Sequence, residues 1–381
     1  MSKLTLPPLS LYVHIPWCVR KCPYCDFNSH TSNGELPEAD YVAAIIRDLS
    51  NDSSYVQDRN LQSIFFGGGT PSLFSPKAIE QILNAADQQI GFVDDIEITL
   101  EANPGTFEQE KFRGYRSAGV NRLSIGIQSF DDLFLQQLGR IHNSREAHTV
   151  ASMARAAGFD NFNLDLMHGL PGQSLEDALN DLRQAIALEP MHLSWYQLTI
   201  EPNTAFYRNP PDLPDDPILE AIFEQGQQLL ADSGFRQYEV SAYARDGQAS
   251  LHNLNYWEFG DYLGIGAGAH GKITLPEKQQ IIRTRKTRTP QDYLARENDY
   301  NAAIDIIADD ELPLEFLMNA LRLNKGVPNH YFTERTGKEL EIIREPLKAM
   351  QQRQLMANDD QRLQPTPLGH RFLNTLLEEF S

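Results

Sequence analysis

The sequence predicts an α/β protein built on a partial (β/α)6 barrel, followed by a smaller mixed region that ends in a helical, winged-helix-like module. Two observations support this fold class. Short β-rich runs recur along the first 200 residues, and amphipathic helical patterns separate them. This alternation is typical of parallel strands joined by helices. We count six such units, fewer than the eight of a closed barrel, and therefore expect an open or partial barrel.

The predicted strands are, in order, LSLYVHI, SIFFGGG, IEITLE, RLSIGIQ, FNLDLM and HLSWYQLTI. The helical patterns between them include PEADYVAAIIRDLS, SPKAIEQILNAADQQI and SLEDALNDLRQAIAL. Chemically unusual residues lie in or just after these strands, mostly toward the C-terminal end, namely Tyr12, Gly67, Gly68, Gly69, Glu101, Gln128, Asp165 and Thr199. Because the C-terminal ends of parallel strands line one mouth, we expect a single binding site there.

The character of the chain changes after residue 205. A proline-rich loop, RNPPDLPDDP, leads into the helical pattern ILEAIFEQGQQLLADSG, and a region containing LHNLNYWEFGDYLGIGAGAHG follows. A small helical unit then begins near Leu312 and ends in LQPTPLGHRFLNTLLEEF. We therefore divide the chain into a core (1–235), a connecting region (236–305) and a C-terminal module (306–381).

Composition and charge narrow the class of protein. The chain has 381 residues, of which 41% are hydrophobic and 22% charged, and it contains no apolar run long enough to span a bilayer. Its first residues lack the apolar core of a secretion signal, so we expect a cytoplasmic protein. The net charge of −19 argues against a nucleic-acid surface.

One local cluster is basic: Arg283, Arg285, Lys286 and Arg288. It is either a solvated strand face or a patch for an anionic partner, such as carboxylates or a membrane surface.

All three cysteines, Cys18, Cys22 and Cys25, lie in one C-x3-C-x2-C segment. In a reducing compartment such a cluster more often holds metal than forms disulfides. A structural zinc site usually has four protein ligands, and His14 or His30 would have to complete it. A [4Fe–4S] cluster also takes four ligands, normally cysteines, so three cysteines would leave one iron open to an external ligand.

With this motif and GGGTPS one strand later, the chain resembles the radical S-adenosylmethionine (radical SAM) enzymes. The resemblance implies that S-adenosylmethionine chelates the open iron through its amino and carboxylate groups. An electron from the reduced cluster would then cleave a carbon–sulfur bond and yield a 5′-deoxyadenosyl radical. The implied S-adenosylmethionine contacts are Tyr12, the backbone of Tyr24, Gly67, Gly68, Gly69, Thr70, Glu101, Gln128, Arg140, Asp165 and Thr199.

Some of these residues could also have a purely structural role. GGGTPS is also compatible with an ordinary turn between a strand and a helix. Arg140, for which the resemblance suggests a fork that binds a carboxylate, could instead form a surface salt bridge. The GIGAGAH run could close over the adenine, although glycine-rich turns are common.

A closer resemblance extends from about residue 10 to the C-terminus. YVHIPWCVRKCPYCDFNSH, FFGGGTPS, GIQSF, LDLMHGLPGQ and HNLNYW together resemble the coproporphyrinogen oxidase-like group. The oxygen-independent oxidases of that group have a fourth cysteine two residues after the third, where this chain has Phe27. The heme chaperones of the group instead have a C-x-F ending, which places Phe27 among the cofactor-binding residues, and an HNxxYW motif; this chain has both.

The resemblance to heme chaperones implies heme as a further ligand. His252 would be the axial iron ligand, Asn253 belongs to the same motif, and Tyr256 and Trp257 would offer flat apolar area to the macrocycle. The same letters also fit a histidine that simply packs beside aromatic residues. The resemblance further implies heme-acceptor respiratory proteins, a reductant such as flavodoxin or ferredoxin, and a monomer–dimer equilibrium.

The sequence is therefore compatible with two functions, one of a carrier protein and one of an enzyme. One is a heme carrier that retains a radical SAM cluster and passes heme to respiratory proteins. The other is an oxidase that removes carboxylates from porphyrinogen propionates by hydrogen abstraction. A third, radical modification of RNA, is disfavoured by the negative charge and by the lack of a recognisable RNA-binding appendage.

Overall fold

The computed structural model describes residues 3–32 and 34–380, without the side chains of residues 106–110. In this part of the chain most strands join one mixed sheet. The strands are β1 Leu9–Ile15, β2 Trp17–Cys18, β3 His30–Thr31, β4 Leu61–Gly68, β5 Phe92–Ala102, β6 Arg122–Gln128, β7 Phe162–His168, β8 His192–Gln197, β9 Arg236–Gln237, β10 Ala242–Ala244, β11 Asp261–Ile265, β12 His270–Leu275, β13 Gln280–Lys286, β14 Asn301–Ile306, β15 Val327–Pro328 and β16 Arg362–Leu363.

The helices follow the strands as the alternation predicts. They are α1 Glu38–Asn51, α2 Pro76–Gln89, α3 Thr106–Ala118, α4 Asp132–Gln137, α5 Ser144–Ala156, α6 Leu175–Ala187, α7 Ala205–Arg208, α8 Asp216–Asp232, α9 Leu251–Trp257, α10 Pro290–Leu294, α11 Leu312–Ala320, α12 Asn329–Thr336, α13 Arg344–Gln352, α14 Pro367–Arg371 and α15 Leu373–Glu378. None of the helices in the described residues is both long and apolar enough to cross a membrane.

The main sheet has the order β14-β13-β12-β11-β1-β4-β5-β6-β7-β8-β10-β9. The six predicted strands form its parallel centre from β1 to β8, which confirms the repeated βα prediction. A seventh parallel strand, β11, comes from the connecting region and pairs with β1. Antiparallel strands extend both ends. The order is linear in the described residues, in agreement with an open barrel.

The strands of the parallel centre alternate between two chemically different faces. In β1, Leu9, Leu11 and Val13 join the core beneath the helices, whereas Ser10 and Tyr12 point the other way because side chains alternate along a strand. We call that second side the inner face of the sheet. Polar residues recur on it in the neighbouring strands, so the inner face is built to hold something other than a hydrocarbon core.

The C-terminal module has its own apolar cluster, which includes Phe316, Phe332 and Met350. Helices α11 to α15 surround it, and β15 pairs with β16 in a small antiparallel ladder. The predicted helical module at the C-terminus is therefore confirmed.

Candidate functional site

The cysteine motif lies on a short loop that follows β1. Cys18 belongs to β2, which pairs with β3 through Trp17 and His30. The loop is closed by the Cys25 N–H, which donates to the Cys22 carbonyl at 3.2 Å. All three cysteines contribute to the lining of one cavity of about 430 Å³. The described part of the chain therefore brings its three thiols to a single space at the C-terminal ends of the parallel strands.

In the described structure the three cysteines are free and do not form a compact site for one ion. Among the described residues, no three His, Cys, Asp or Glu side chains converge tightly enough to hold a single metal ion. A cubane cluster distributes its ligands over separate irons, so its cysteines need not meet at one point. His14, proposed above as a fourth zinc ligand, is engaged on both ring nitrogens, by the Tyr12 hydroxyl and by the Asn28 carbonyl, each at 2.9 Å.

The glycine segment after β4 packs directly against the cysteine loop. Gly68 has φ +115°, a conformation that favours glycine. At Gly69, a Cβ atom would lie 2.5 Å from the Trp17 carbonyl oxygen, which is too close. The N–H of Thr70 donates to that same oxygen at 2.8 Å. Glycine is thus required here by close backbone approach, which the interpretation of GGGTPS as an ordinary turn does not explain.

Two acidic side chains line the cavity from strands on either side of β6, Glu101 on β5 and Asp165 on β7. Burial, together with the charge of Asp165, raises the pKa of Glu101 to about 8, and a hydrogen bond from the Gly68 N–H only partly opposes this rise. Burial also raises the pKa of Asp165, although Asn163 and Ser124 donate hydrogen bonds to it. In the ligand-free protein Glu101 is therefore mostly protonated at pH 7, and a cationic ligand would favour its ionisation.

Arg140 reaches the cavity from the loop after α4. Its Nη2 donates to the Asn103 side-chain oxygen at 2.6 Å and to the Gly126 carbonyl at 2.7 Å, and its Nη1 lies 3.8 Å from the Cys22 Sγ. Its Nε is shielded from solvent and has no hydrogen-bond partner in the described structure. Arg140 makes no ion pair with a carboxylate of the described chain, so the surface salt bridge considered above is not what the structure shows.

The remaining residues of the predicted site fall into two groups. Tyr24, Phe27, Thr70, Gln128 and Thr199 line the same cavity as the cysteines. Thr199 lies two residues beyond the end of β8 at Gln197, not inside a strand as the sequence suggested.

Tyr12 and Gly67 lie behind the cavity wall. Tyr12 stacks on Phe65, with a ring-centroid distance of 6.3 Å, and donates its hydroxyl hydrogen bond to His14. A Cβ at Gly67 would lie 3.0 Å from the rings of both Tyr12 and Phe65. Both residues therefore support the wall rather than form its surface.

Sequence reasoning missed several polar residues of this cavity, among them Asn103, Ser124, Ser194 and Tyr196. Tyr196 donates to the Gln128 side-chain oxygen at 2.8 Å and so orients it. Ser124 and Ser194 alternate with fully buried apolar residues along β6 and β8. This alternation was the available signal, because it places their side chains on the inner face.

The HNxxYW motif forms helix α9, which lies on the inner face near the N-terminal ends of the strands. His252 is only 9% exposed. Its Nδ1 is hydrogen-bonded to the Ser63 hydroxyl at 3.1 Å, and its ring contacts Phe65 with a centroid distance of 5.1 Å. Burial lowers the pKa of His252 to about 4, so the ring is neutral at pH 7.

The other residues of the motif point in different directions. Asn253 donates to the Tyr238 hydroxyl at 3.2 Å. The Tyr256 ring lies 4.8 Å from that of Tyr262, and Trp257 packs with the C-terminal module, where the Arg322 guanidinium lies 4.3 Å from its ring. The structure therefore does not bring the histidine and the two aromatic side chains onto one open face.

The basic cluster is largely neutralised within the described chain. Lys286 is 3% exposed and forms ion pairs with Asp48 and Asp52 at 2.7 and 2.8 Å. Arg283 pairs with Glu315, and Arg285 with Asp305. Counting Lys286 as a surface charge was therefore wrong: the residue ties β13 to α1.

Comparison with known proteins first identifies the superfamily to which the chain is similar. The family model described as "Radical SAM superfamily" matches residues 12–185, and the one described as "HemN C-terminal domain" matches residues 307–372. Among solved structures, the coproporphyrinogen III oxidase (HemN) of Escherichia coli matches with a TM-score of 0.83 over 98% of this chain and 90% of that one. At 22% sequence identity, this likeness shows the shared fold.

Relatives with known names identify the family within this superfamily. "Heme chaperone HemW" of Haemophilus influenzae is 54% identical, and the protein of the same name in Escherichia coli is 53% identical, each alignment covering 98% of both chains. HemW of Bacillus subtilis is 32% identical over 97% of this chain and 98% of its own length. The chain therefore belongs to the HemW family of the radical SAM superfamily.

Proposed function

We propose that this protein is a heme-binding chaperone that carries a [4Fe–4S] cluster and S-adenosylmethionine. The observation that carries the proposal is the single cavity in which three cysteines, the unpartnered Nε of Arg140 and the carboxyl groups of Glu101 and Asp165 meet. The fourth cysteine position of the oxidases is occupied by Phe27, which is 60% exposed at the rim. The name of the 54%-identical relative supports heme as the cargo.

The residues of the cavity fit both cofactors. Cys18, Cys22 and Cys25 would each bind one iron of the cluster. The amino and carboxylate groups of S-adenosylmethionine would coordinate the fourth iron. Thiolates are the usual ligands of such clusters. When bound, the reduced cluster supplies an electron to the sulfonium of S-adenosylmethionine.

Each remaining residue has a role that its chemistry supports. Arg140 would bind the ligand carboxylate, the backbone at Gly68 and Gly69 would approach its amino group, and Glu101 would accept from the ribose hydroxyls. Gln128 and Asp165 supply further polar groups. The Tyr24 backbone, Thr70 and Thr199 would add contacts from the cavity lining, whereas Tyr12 and Gly67 would act through the wall that they support.

For heme, His252 is the proposed axial ligand. Its lowered pKa keeps the imidazole neutral, which is the form that binds iron. Asn253, Tyr256 and Trp257 belong to the same motif, but in this structure they contact Tyr238, Tyr262 and Arg322 instead of sharing a face with His252, so they would join a heme site only after a rearrangement. Because His252 faces the sheet in this conformation, iron ligation requires α9 to change position.

The proposal includes partners. We expect heme-acceptor respiratory proteins, a reductant such as flavodoxin or ferredoxin, and a homodimer in equilibrium with the monomer, all in the cytoplasm. Contact with a membrane surface would have to rely on charges other than Lys286, since that residue is buried.

Coproporphyrinogen oxidation is the second candidate, and the shared fold with HemN is its only support here. The full-length identity to heme chaperones and the phenylalanine at position 27 favour the chaperone.

Heme transfer tests the proposed function. The reconstituted protein is loaded with heme, freed of excess ligand and mixed with membranes that contain a heme-deficient respiratory enzyme. We expect heme to leave the chaperone and oxidase or reductase activity to appear in the membranes. Free heme at equal concentration is the control. Equal activation by free heme, with heme retained on the protein, would contradict the proposal.

A further inference from the structure

The last residue of β6 departs from regular strand geometry. Gln128 has φ +69°, in the left-handed region that few non-glycine residues adopt. The pairing with β7 also shifts at this point. Gly126 aligns with Asp165, but Gln128, two residues later, aligns with Leu166, so β6 contains one extra residue. Such departures cost stability and concentrate where a side chain must be aimed at a ligand.

The side chain of Gln128 is held by one residue of β8. The Tyr196 hydroxyl donates to the Gln128 side-chain oxygen at 2.8 Å. The Tyr196 ring packs against a small apolar cluster that includes Leu138 and Met167, which fixes the position of the ring. Burial, together with the charge of Asp165, raises the pKa of Tyr196 well above its ordinary value. The hydroxyl therefore keeps its proton and remains a donor to the amide oxygen.

This hydrogen bond decides which end of the amide is offered to the cavity. Gln128 lines the cavity although it is only 6% exposed. Because Tyr196 engages the oxygen, the amide nitrogen is the end that remains, and it donates to no other group of the described residues. An amide can present either an acceptor or a donor, so a fixed orientation gives the cavity wall a donor here.

A glycine makes room for this donor beside Arg140. A Cβ atom at Gly126 would lie 3.0 Å from the Gln128 Nε2 and 3.2 Å from the Arg140 Nη2. The two nitrogens therefore come together over Gly126, where a larger residue would crowd them. Arg140 also donates to the Gly126 carbonyl at 2.7 Å. Two neighbouring donors on one wall suit a ligand group with two acceptor oxygens, such as a carboxylate.

We infer that Tyr196 is a positioning residue for S-adenosylmethionine: its hydroxyl holds the Gln128 amide so that the nitrogen, beside Arg140, donates to the ligand carboxylate. This inference rests on the proposed function. Tyr196 acts through Gln128 and not by touching the ligand. A tyrosine that only filled space would be replaced by phenylalanine without loss, whereas a positioning tyrosine would not.

A double-mutant cycle tests this inference. S-adenosylmethionine binding is measured by calorimetry on the reconstituted protein, kept anaerobic and without reductant, in the wild type, Tyr196→Phe, Gln128→Ala and the double variant. We expect Tyr196→Phe to raise the Kd about three- to tenfold, as the loss of one hydrogen bond would. In the Gln128→Ala background the same change should leave the Kd as it is, because the amide that Tyr196 holds is gone. An unchanged Kd in Tyr196→Phe, or an equal increase in both backgrounds, would overturn the inference.

The Gln128→Glu variant tests the orientation of the amide. Its carboxylate can still accept from Tyr196, but it presents an acceptor oxygen to the cavity in place of the donor. We expect the Kd to rise at least as much as in Gln128→Ala, because two carboxylates then face each other. Binding as tight as in the wild type would show that no donor is needed at this position and would overturn the inference.

Tyr300→Phe is the matched control for the loss of a buried hydroxyl. The Tyr300 hydroxyl accepts from the Arg47 Nε at 3.0 Å, and Tyr300 is not part of the cavity lining. We expect this variant to bind S-adenosylmethionine as the wild type does. Iron analysis and thermal unfolding of every variant separate a lost contact from a lost fold. A Tyr196→Phe protein that loses its iron, or a Tyr300→Phe protein that is weakened equally, would indicate a structural effect and overturn the inference.

The proposed function and this inference fail in different ways. If the reconstituted wild type does not bind S-adenosylmethionine, the proposed function is wrong and the inference falls with it. If binding depends on Arg140 and Gln128 but not on Tyr196, the proposed function stands and only the positioning role is overturned.

Discussion

The Nη1 of Arg140 lies 3.8 Å from the Sγ of Cys22, at the point where the cysteine loop meets the polar wall of the cavity. The Nε of the same guanidinium has no partner in the described structure. A cationic group with a free, shielded donor beside the thiols is what a carboxylate bound at the open iron would need. In the proposed function, this relationship would join the cluster site to the S-adenosylmethionine site.

Replacement of Arg140 by lysine tests that relationship. The lysine keeps the charge but loses the fork, so we expect S-adenosylmethionine affinity to fall by about 1.5–3 kcal/mol. Iron content should stay near that of the wild type. Equilibrium binding and iron analysis provide the readouts. Arg183→Lys, which alters an exposed pair with Glu176, is the control. Unchanged affinity in Arg140→Lys would remove this residue from the site.

Serine substitution of each cysteine tests the cluster. After anaerobic reconstitution we expect about four irons per wild-type chain and loss of most of this iron in Cys18→Ser, Cys22→Ser and Cys25→Ser. Ser32→Ala, which removes a hydroxyl that donates to the Gly34 carbonyl at 2.9 Å, should keep its iron. Iron and sulfide analysis measures the outcome. Full retention of iron in all three cysteine variants would refute the proposed ligands.

The raised pKa of Glu101 predicts a pH dependence of S-adenosylmethionine binding. Glu101 titrates near 8 in the ligand-free protein, whereas a nearby cationic ligand favours its carboxylate. Binding below pH 8 therefore releases a proton, and affinity should rise from pH 6.5 to 8 and then level off.

Calorimetry in buffers of different ionisation enthalpy measures the proton release directly. Asp165 is the other carboxyl group that faces Glu101. The Glu101→Gln variant therefore shows which of the two groups releases the proton. We expect weaker binding and a flat profile between pH 6.5 and 8 in this variant. If Glu101→Gln keeps the wild-type pH dependence of binding, the titrating group is not Glu101.

Phe27 predicts that coproporphyrinogen oxidase activity is absent. The reconstituted protein is incubated anaerobically with coproporphyrinogen III, S-adenosylmethionine and a reductant, and the porphyrins are separated by chromatography. A preparation of the bacterial HemN oxidase verifies the assay. We expect no product above background in this protein. Multiple turnovers to protoporphyrinogen would instead support the oxidase.

Local patterns were sufficient to predict the parallel centre of the fold. The six β-rich runs and the helices between them are short-range signals, and strand bounds such as Arg122–Gln128 agree with the structure. The cysteine motif and GGGTPS likewise indicated where the cavity lies, because both follow strands whose C-terminal ends meet.

Long-range pairing was not visible in the sequence. Nothing in DYLGI shows that β11 joins β1 in parallel, since that register depends on residues more than 200 positions apart. Lys286 is one cation of a basic run in the sequence, but in the fold it pairs with Asp48 of α1 and with Asp52, which follows that helix. The motif places His252 close in sequence to two aromatic residues and predicts a shared site, whereas helical geometry turns His252 toward the sheet and away from Trp257.

A heme titration of His252→Ala tests the central claim most directly. The reconstituted wild-type protein should bind about one heme per chain with a histidine-type Soret band. The His330→Ala variant, which alters an exposed histidine outside α9, should behave in the same way. We predict that His252→Ala binds heme substantially more weakly and with a shifted band. The same affinity and the same spectrum in all three proteins would contradict the account.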